Sequence, residues 1–229
     1  MERLRASVII NNYNYARFLR AAIDSALSQT YQNCEVVVVD DGSIDATASI
    51  AGSAGAIVVP HPINLGQGAA LQTGIEFALR RGADCIVTFD ADGQHRAGDV
   101  AALIEALMKN DADFALGSRF LGASVAMPFS RRLLLKTAAW FTRVTTGLRV
   151  TDTHNGLRAM TRRGASEIAL RQNRMAHASE LLHEIARSGL RYVEVPVTIE
   201  YSKYSLAKGQ RLADSLKILV DLSAQRLHR

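Results

Sequence analysis

Hydrophobic residues in the first hundred positions follow two alternating patterns. Short, continuous apolar runs, typical of buried strands, occur at 7–10, 36–39, 57–59 and 85–89. Apolar residues at helical spacing, between and after these runs, predict helices at about 18–27, 45–54, 69–81 and up to 109. This alternation predicts a mostly parallel central sheet with helices on both faces.

The second half of the chain continues as α/β structure, and no linker rich in Pro, Gly or Ser divides it. Its pattern predicts a strand at 114–116, helices at 131–146 and 181–188, a strand at 192–199 and a terminal amphipathic helix at about 209–226. We therefore predict a single α/β domain over residues 1–229, with a Rossmann-like organisation.

Composition excludes several classes of protein. With 48% hydrophobic and 21% charged residues, the chain has the balance of an ordinary folded domain, which excludes disorder as its main state. The two cysteines, Cys34 and Cys85, provide neither a disulfide framework nor a zinc motif. The first apolar stretch is too short for a signal peptide, and no apolar run is long enough to span a membrane. These features predict a cytoplasmic protein.

Charge is distributed unequally along the chain. Residues 1–110 carry 8 basic against 12 acidic side chains, whereas residues 111–229 carry 19 against 10, and the net charge is +5. An acidic half suits a metal ion, and an arginine-rich half suits phosphates, nucleic acid or an acidic membrane surface. A nucleic-acid-binding module is the weaker alternative, because no aromatic residues interleave with the basic ones; we expect no nucleic acid as a partner.

Four polar clusters, at 11–14, 40–43, 64–68 and 90–94, follow the carboxyl ends of the four predicted parallel strands. Ligands of open α/β sheets bind in the crevice at this edge, near the point where the strand order reverses. We therefore predict a binding cleft there.

The cluster Asp90-Ala91-Asp92 predicts a metal site. Residues two apart on an extended segment project to the same side, so both carboxylates can reach one point, and Gln94 has the same parity. Two unpaired carboxylates would repel each other unless a cation lay between them. Ligands that are all oxygen favour Mg²⁺ or Mn²⁺, so we predict that Asp90, Asp92 and Gln94 hold one of these metals.

Four segments, in this order, resemble the inverting family 2 glycosyltransferases with the GT-A fold: SVIINNYN at 7–14, VDDGS at 39–43, NLGQG at 64–68 and FDADGQH at 89–95. The resemblance covers essentially the whole chain. It implies a single GT-A-type domain that uses a nucleoside-diphosphate sugar, linked to UDP or GDP, together with a divalent metal on the donor diphosphate. The nucleotide-sugar-binding residues that it implies are Asn11, Tyr13, Asp40, Asp41, Gly66 and Asp90. Among them, Asp41 would accept a hydrogen bond from the base.

Segments of the second half, at 117–120, 152–159, 194–197 and 204–209, are similar to the polyprenol-phosphate branch, which resembles dolichol-phosphate mannose synthase. Arginines hold a lipid phosphate in that branch, which implies Arg119, Arg131 and Arg132 as acceptor-binding residues. On this resemblance, residues 1–110 form the donor and metal half, and residues 111–229 form the acceptor half.

The acceptor has two alternatives that differ in chemistry. A phosphate oxygen is already ionised near neutral pH, whereas a sugar hydroxyl needs a base, for which Asp152 and Glu180 are the candidates. The opening Asn-Asn-Tyr-Asn-Tyr and Gln67 depart from the lipid-phosphate branch, and the opening is similar to family members that build surface polysaccharides by transfer to hydroxyls. A nucleotidyltransferase, which also uses a carboxylate-held metal but releases pyrophosphate, is a further alternative.

Our primary hypothesis is transfer of a sugar to a lipid-linked acceptor, most simply a polyprenyl phosphate. A chain without a membrane-spanning run must meet such a lipid at the membrane surface. We expect peripheral contact at the inner face of the cell membrane, through the basic terminal helix or a membrane partner.

Overall fold

The apolar runs form seven strands that pair into one sheet, in the order β3-β2-β1-β4-β6-β5-β7. The computed structural model describes residues 4–90, 95–96, 98–125, 127–172 and 176–200. The strands are β1 (Ala6–Asn12), β2 (Cys34–Asp40), β3 (Ile57–Pro60), β4 (Cys85–Thr88), β5 (Phe114–Val125), β6 (Arg158–Thr161) and β7 (Tyr192–Glu200).

Six of these strands run in one direction, and only β6 runs against them. β1 pairs in parallel with β2 on one side and β4 on the other, and β5 pairs in parallel with β7. β6 lies between β4 and β5 and is antiparallel to both. The end at which β6 begins therefore lies at the edge where its neighbours end.

Helices cover both faces of the sheet. They are α1 (Ala16–Leu27), α2 (Thr47–Ser53), α3 (Gln67–Arg80), α4 (Gly98–Asn110), α5 (Phe129–Thr146), α6 (Arg162–Glu167) and α7 (Ala176–Ser188). Successive strand residues point to opposite faces, so Val8 and Ile10 pack in the core on the side of α1, α2 and α4. Ile9 packs in a second core, with side chains from α3, α6 and α7.

The predicted architecture is confirmed: this is one α/β domain with a mostly parallel sheet and helices on both faces. Two predictions for the second half need correction. β5 reaches Val125 and is much longer than the predicted 114–116, and the sequence pattern did not reveal β6 and α6. The predicted terminal helix at 209–226 lies outside the described residues.

Within the described part of the chain, no helix combines the length and apolar character needed to cross a membrane.

Candidate active site

The carboxyl ends of β2, β1 and β4 lie side by side at one edge of the sheet. Asn12 at the end of β1 is in register with Asp40 at the end of β2, and Asp90 comes two residues after β4. The strand order reverses here, because β2 and β3 lie on one side of β1 while β4 lies on the other. The predicted cleft is therefore at the switch point of the sheet, where open α/β proteins bind ligands.

The Asp41 carboxylate binds the backbone just before the amino end of α3. One carboxylate oxygen accepts hydrogen bonds from the Leu65 amide and from His61 Nδ1, both at 2.8 Å, and the other accepts from the Gly66 amide at 2.8 Å. Gly66 has a φ of 95°, a conformation that glycine adopts without strain. The negative charge of Asp41 thus stabilises the amino end of α3. Its predicted contact with a nucleotide base stays a prediction.

Hydrogen bonds link the segments that follow β1 and β2. An Asp40 carboxylate oxygen accepts from the Ser43 amide at 3.0 Å, and Ser43 Oγ accepts from the Asn14 amide at 2.9 Å. The Asn14 side chain in turn accepts from the Ile44 amide at 2.9 Å. Asn14 has a φ of 54°, a left-handed conformation that asparagine tolerates better than most residues.

Of the other predicted nucleotide-binding residues, Asn11 lies within β1 and is half-buried, while Tyr13 follows β1 and is 46% exposed. Both lie beside the turn at Asn14, so the structure brings them to the cleft with Asp40 and Asp41.

Asp90 lies against a loop from the second half of the chain. A Cβ atom on Gly156 would overlap with the Asp90 carboxylate, so a larger residue at that position would displace this side chain. Thr88 Oγ1 donates to the Gly156 carbonyl at 2.6 Å and holds the loop beside the end of β4. The Asp90 side chain keeps 34% of its surface exposed, so it is accessible from the cleft.

The charge of Asp90 is stabilised by its neighbours. Burial by itself raises the pKa of this carboxyl, but a hydrogen bond with His95 Nε2 at 3.4 Å, together with the nearby charges of His95, His177 and Arg158, lowers the pKa below its ordinary value. Asp90 is therefore ionised at neutral pH.

Arg158 is a buried cation that the sequence analysis missed. It begins β6, pairs in register with Thr88 and is only 6% exposed. Burial lowers its pKa to about 10, although the carboxylates of Asp90 and Asp152 act in the opposite direction. Its Nη2 donates to the Thr153 carbonyl at 3.1 Å. The sequence did contain a signal for it, because Arg158 interrupts the otherwise apolar run Leu157–Met160. Burying an unpaired charge is costly, so an arginine in such a run indicates a buried partner.

Arg119 and Asp152, predicted to bind the acceptor and to act as a base, form an ion pair with each other. Arg119 Nε and its backbone amide donate to the same Asp152 oxygen, at 2.6 and 3.1 Å, and Nη2 donates to the His154 carbonyl at 3.0 Å. The Asp152 side chain is 0% exposed and that of Arg119 is 5% exposed. Both roles stay predictions, but the structure makes each residue the buried partner of the other.

Glu194 of β7 holds the loop that carries Asp152. One of its carboxylate oxygens accepts from the amide and the hydroxyl of Thr151, at 2.7 and 2.9 Å, and from the Asp152 amide at 3.3 Å. Glu194 belongs to a segment that carried the family resemblance, but its positioning role required the structure.

Histidine 154 adds no charge to this loop near neutral pH. Burial is the main reason that its pKa falls to about 4, and the nearby cations Arg158 and Arg119 lower it further, although Asp152 raises it. Its Nδ1 lies 2.7 Å from Thr153 Oγ1. A neutral imidazole beside two buried arginines avoids a third positive charge in the same place.

The remaining predicted residues lie on helices of the second half. Glu180 on α7 accepts from the amides of Arg171 and Gln172, at 2.9 and 2.8 Å, and so fixes the segment before that helix. Arg131 and Arg132 lie in the first turn of α5, where Arg132 is exposed and Arg131 half-buried. The predicted roles of Glu180 as a base and of Arg131 and Arg132 as acceptor-binding residues stay predictions.

The predicted metal site is described only in part. Asp92 and Gln94 lie outside the described residues, and within the described ranges no three His, Cys, Asp or Glu side chains are grouped as metal ligands. Asp90 offers an ionised, accessible oxygen ligand, and this donor fits a hard cation such as Mg²⁺ or Mn²⁺. Nearby, the Asn155 Oδ1 accepts from the Leu157 amide at 3.0 Å, while its buried Nδ2 lacks a partner among the described residues.

The fold and the site define a class of protein. A seven-stranded, mostly parallel sheet, with carboxylates at the switch-point edge and a basic second half, is the organisation of a GT-A-type transferase. The family model "Glycosyl transferase family 2" matches residues 7–168. The chain belongs to this family and is a glycosyltransferase, as the sequence analysis predicted.

Curated relatives match nearly the whole chain. It is 30% identical to a UDP-N-acetylglucosamine–dolichyl-phosphate N-acetylglucosaminyltransferase of Methanococcus voltae, covering 94% of this chain and 93% of the relative. It is 31% identical to a polyprenol monophosphomannose synthase of Mycolicibacterium smegmatis, covering 89% and 80%. An undecaprenyl-phosphate mannosyltransferase of Micrococcus luteus is 32% identical, with coverage of 85% and 83%. The resemblance of the second half to the polyprenol-phosphate branch is thereby confirmed.

Solved structures confirm the fold. Glucosyl-3-phosphoglycerate synthase of Mycobacterium tuberculosis, in complex with Mn²⁺ and UDP-glucose, superposes with a TM-score of 0.75 at 19% identity, covering 98% of this chain and 78% of the other. The same enzyme with Mn²⁺, UDP and glucosyl-3-phosphoglycerate gives a TM-score of 0.74.

Proposed function

We propose that this glycosyltransferase moves a sugar, with inversion, from a nucleoside-diphosphate sugar to the phosphate of a polyprenyl-type lipid, with Mg²⁺ or Mn²⁺ on the donor. The relatives named for dolichyl, polyprenol and undecaprenyl phosphates support the acceptor class. We place the reaction at the cytoplasmic side of the cell membrane, with residues 1–110 holding the donor and the second half holding the acceptor.

One observation carries the choice of a phosphate over a hydroxyl acceptor. Asp152 and Glu180 are the two carboxylates predicted as bases, and both are engaged by protein donors. Asp152 is buried under Arg119, and Glu180 accepts from two backbone amides. These hydrogen bonds hold both carboxylates against the protein rather than toward a sugar hydroxyl, whereas an ionised phosphate oxygen attacks the anomeric carbon without a base.

The donor side follows from the edge of the sheet. Asp90, with Asp92 as the second predicted ligand, would hold the metal, which when bound neutralises the charge that develops on the leaving diphosphate. Asp41 lies at the same edge of the sheet, one strand away from β1, and holds the loop before α3 that we propose lines the nucleotide pocket. Attack from the opposite face inverts the anomeric centre, and no nucleophilic side chain is required.

Transfer assays with matched acceptors test the proposal. We would offer UDP- and GDP-linked sugars with a short-chain polyprenyl phosphate, with the corresponding polyprenol, and with a free sugar. We expect a sugar–phosphate–lipid product of inverted anomeric configuration, lost with a chelator and restored by Mg²⁺ or Mn²⁺. Asp92→Asn should abolish the metal-dependent turnover while the fold survives.

One variant and a matched control test the contact with the acceptor phosphate. Arg132→Gln should raise the KM for the lipid phosphate by roughly tenfold, because a charge-assisted contact is lost, and leave the KM for the donor unchanged. Arg187→Gln, an exposed arginine on α7, serves as the matched control. Transfer to the free sugar or the polyprenol, with no product on the phosphate, would defeat the lipid-phosphate assignment.

A further inference from the structure

The outer side of α5 is an apolar stripe without a partner in the described domain. Phe129, Leu133, Trp140 and Val144 are 80%, 59%, 63% and 62% exposed. At about 100° per residue, these four positions fall within about 60° of one another around the helix. Scattered single apolar residues are ordinary at a protein surface, but four large ones aligned along a five-turn helix indicate a surface that binds something apolar.

The stripe cannot turn inward, because the other side of α5 is already packed. Leu135, Ala139 and Thr142 are buried, and α5 contacts α7. Gly147, with a φ of 78°, ends the helix in a left-handed cap, and its amide donates to the Arg143 carbonyl. The helix is therefore a fixed element of the fold that presents its apolar side outward.

The charges of α5 indicate the chemistry of the partner. Its sequence, FSRRLLLKTAAWFTRVTT, contains four basic residues and no acidic one. Lys136 and Arg143 are exposed and lie along one border of the stripe, about 40° or less from Phe129 around the helix. An apolar stripe with a tryptophan and a cationic border is typical of helices that lie in the interface of an anionic membrane.

Two further exposed apolar residues lie on the strand that precedes the helix. Leu121 and Val125, in the last part of β5 and just before α5, are 51% and 53% exposed. Arg119 precedes them on the same strand. The strand that carries the buried Arg119 thus ends in exposed apolar residues just before α5 in the sequence.

We propose that α5 is a membrane-docking helix, which inserts Phe129, Leu133, Trp140 and Val144 into an anionic phospholipid surface while Lys136 and Arg143 contact the headgroups. This proposal does not depend on the acceptor of the sugar, and vesicles free of polyprenyl phosphate suffice to test it.

Trp140 is the only tryptophan of the 229 residues, so it reports directly on this helix. The full chain would be mixed with vesicles of phosphatidylglycerol and phosphatidylcholine in equal parts, or of phosphatidylcholine alone. We expect a blue shift of the emission with the anionic vesicles and quenching by lipids brominated on their acyl chains. Vesicle sedimentation measures the partition coefficient in parallel.

Variants assign the binding to the stripe. Leu133→Glu keeps Trp140 as the reporter and should lower the partition coefficient by at least roughly tenfold, because a charge enters the apolar stripe. Lys136→Gln and Arg143→Gln should each lower it by roughly fivefold on anionic vesicles, with little effect on neutral ones. Leu27→Glu, on α1 and 45% exposed, is the matched control and should bind as the parent does.

Three results would overturn the proposal. The first is an emission already blue-shifted and shielded from acrylamide without vesicles, which would mean that another segment or a second copy covers α5. The second is vesicle binding with unchanged Trp140 emission and no effect of Leu133→Glu, which would place the contact elsewhere. The third is the absence of binding. Sugar transfer to a detergent-dispersed acceptor by Leu133→Glu, measured alongside, separates a docking failure from a failure of the proposed function.

Discussion

At the amino-terminal edge of the sheet, carboxylates pair with arginines that stay exposed, whereas at the carboxyl-terminal edge both members of an ion pair are buried. Asp113, just before β5, receives both Nε and Nη2 of Arg163, at 2.7 and 2.8 Å, and the Arg163 side chain is 64% exposed. Arg5, before β1, also stays partly exposed and pairs with Glu35 through Nη2 at 3.0 Å.

At the carboxyl-terminal edge, the charged side chains are buried together with their partners. Arg119, Asp152 and Arg158 are each less than 9% exposed, and a buried donor of Asn155 is unpaired within the described residues. Burying charge costs free energy that a surface pair avoids. The difference indicates that the amino-terminal edge serves stability, while the carboxyl-terminal edge accepts a cost in stability for a site that can receive an anionic ligand.

The largest effect is expected at Asp90. Asp90→Asn keeps the shape of the side chain but removes the charge that would hold the metal, so sugar transfer should fall by at least about a hundredfold. The melting temperature should stay close to that of the parent. Asp84→Asn makes the same change at the other end of β4, where the carboxylate accepts from the Arg5 amide, and should leave transfer intact. Equal activity of both variants would remove Asp90 from the site.

The next effect concerns the stability supplied by Arg119. Arg119→Ala leaves the fully buried Asp152 without its cation, and the free energy of unfolding should fall by about 3–5 kcal/mol. Urea unfolding of Arg119→Ala, Asp152→Asn and the double variant measures the coupling, and the double variant should lose much less than the sum of the two. Arg163→Ala at the amino-terminal edge should cost less than Arg119→Ala, because Arg163 is itself exposed and the Asp113 carboxylate keeps hydrogen bonds from the Thr161 hydroxyl and the Arg191 amide. Similar losses for the two arginines would contradict the contrast between the edges.

The smallest effect is expected at Asp113. Burial raises the pKa of its carboxyl, but the hydrogen bonds from Arg163 and the Arg191 amide outweigh this and lower it. Because the folded pKa is lowered, the stabilisation is present above the ordinary carboxyl pKa and is lost as the pH falls through the folded value. Asp113→Asn should therefore cost about 1–3 kcal/mol at neutral pH and flatten the acid dependence of unfolding.

Asp111→Asn provides the control for that variant. Asp111 is also an aspartate paired with an arginine, Arg191 at 2.7 Å, but its side chain is 89% exposed. Its φ of 47° suits asparagine as well as aspartate. We expect less than about 1 kcal/mol from this surface pair, and a loss as large as that of Asp113→Asn would show that burial does not set the difference.

The sequence by itself determined the parallel half of the fold and the position of the donor-side cluster. Strands β1 to β4 are continuous apolar runs, and residues that follow parallel strands must meet at one edge, so Asp40, Asp41 and Asp90 could be placed together without coordinates. Both features follow from local pattern and strand direction alone.

Only the tertiary structure decided what faces these carboxylates. β6 has only four residues and is antiparallel to its neighbours, so no periodicity in the sequence revealed it. Arg158, its first residue, was therefore missed as well. The hydrogen bond from Thr88 to the Gly156 carbonyl spans 68 positions, and the Arg119–Asp152 pair spans 33. Local pattern carries no information about such partners, because a side chain's charge, burial and freedom to react depend on which distant segment packs against it.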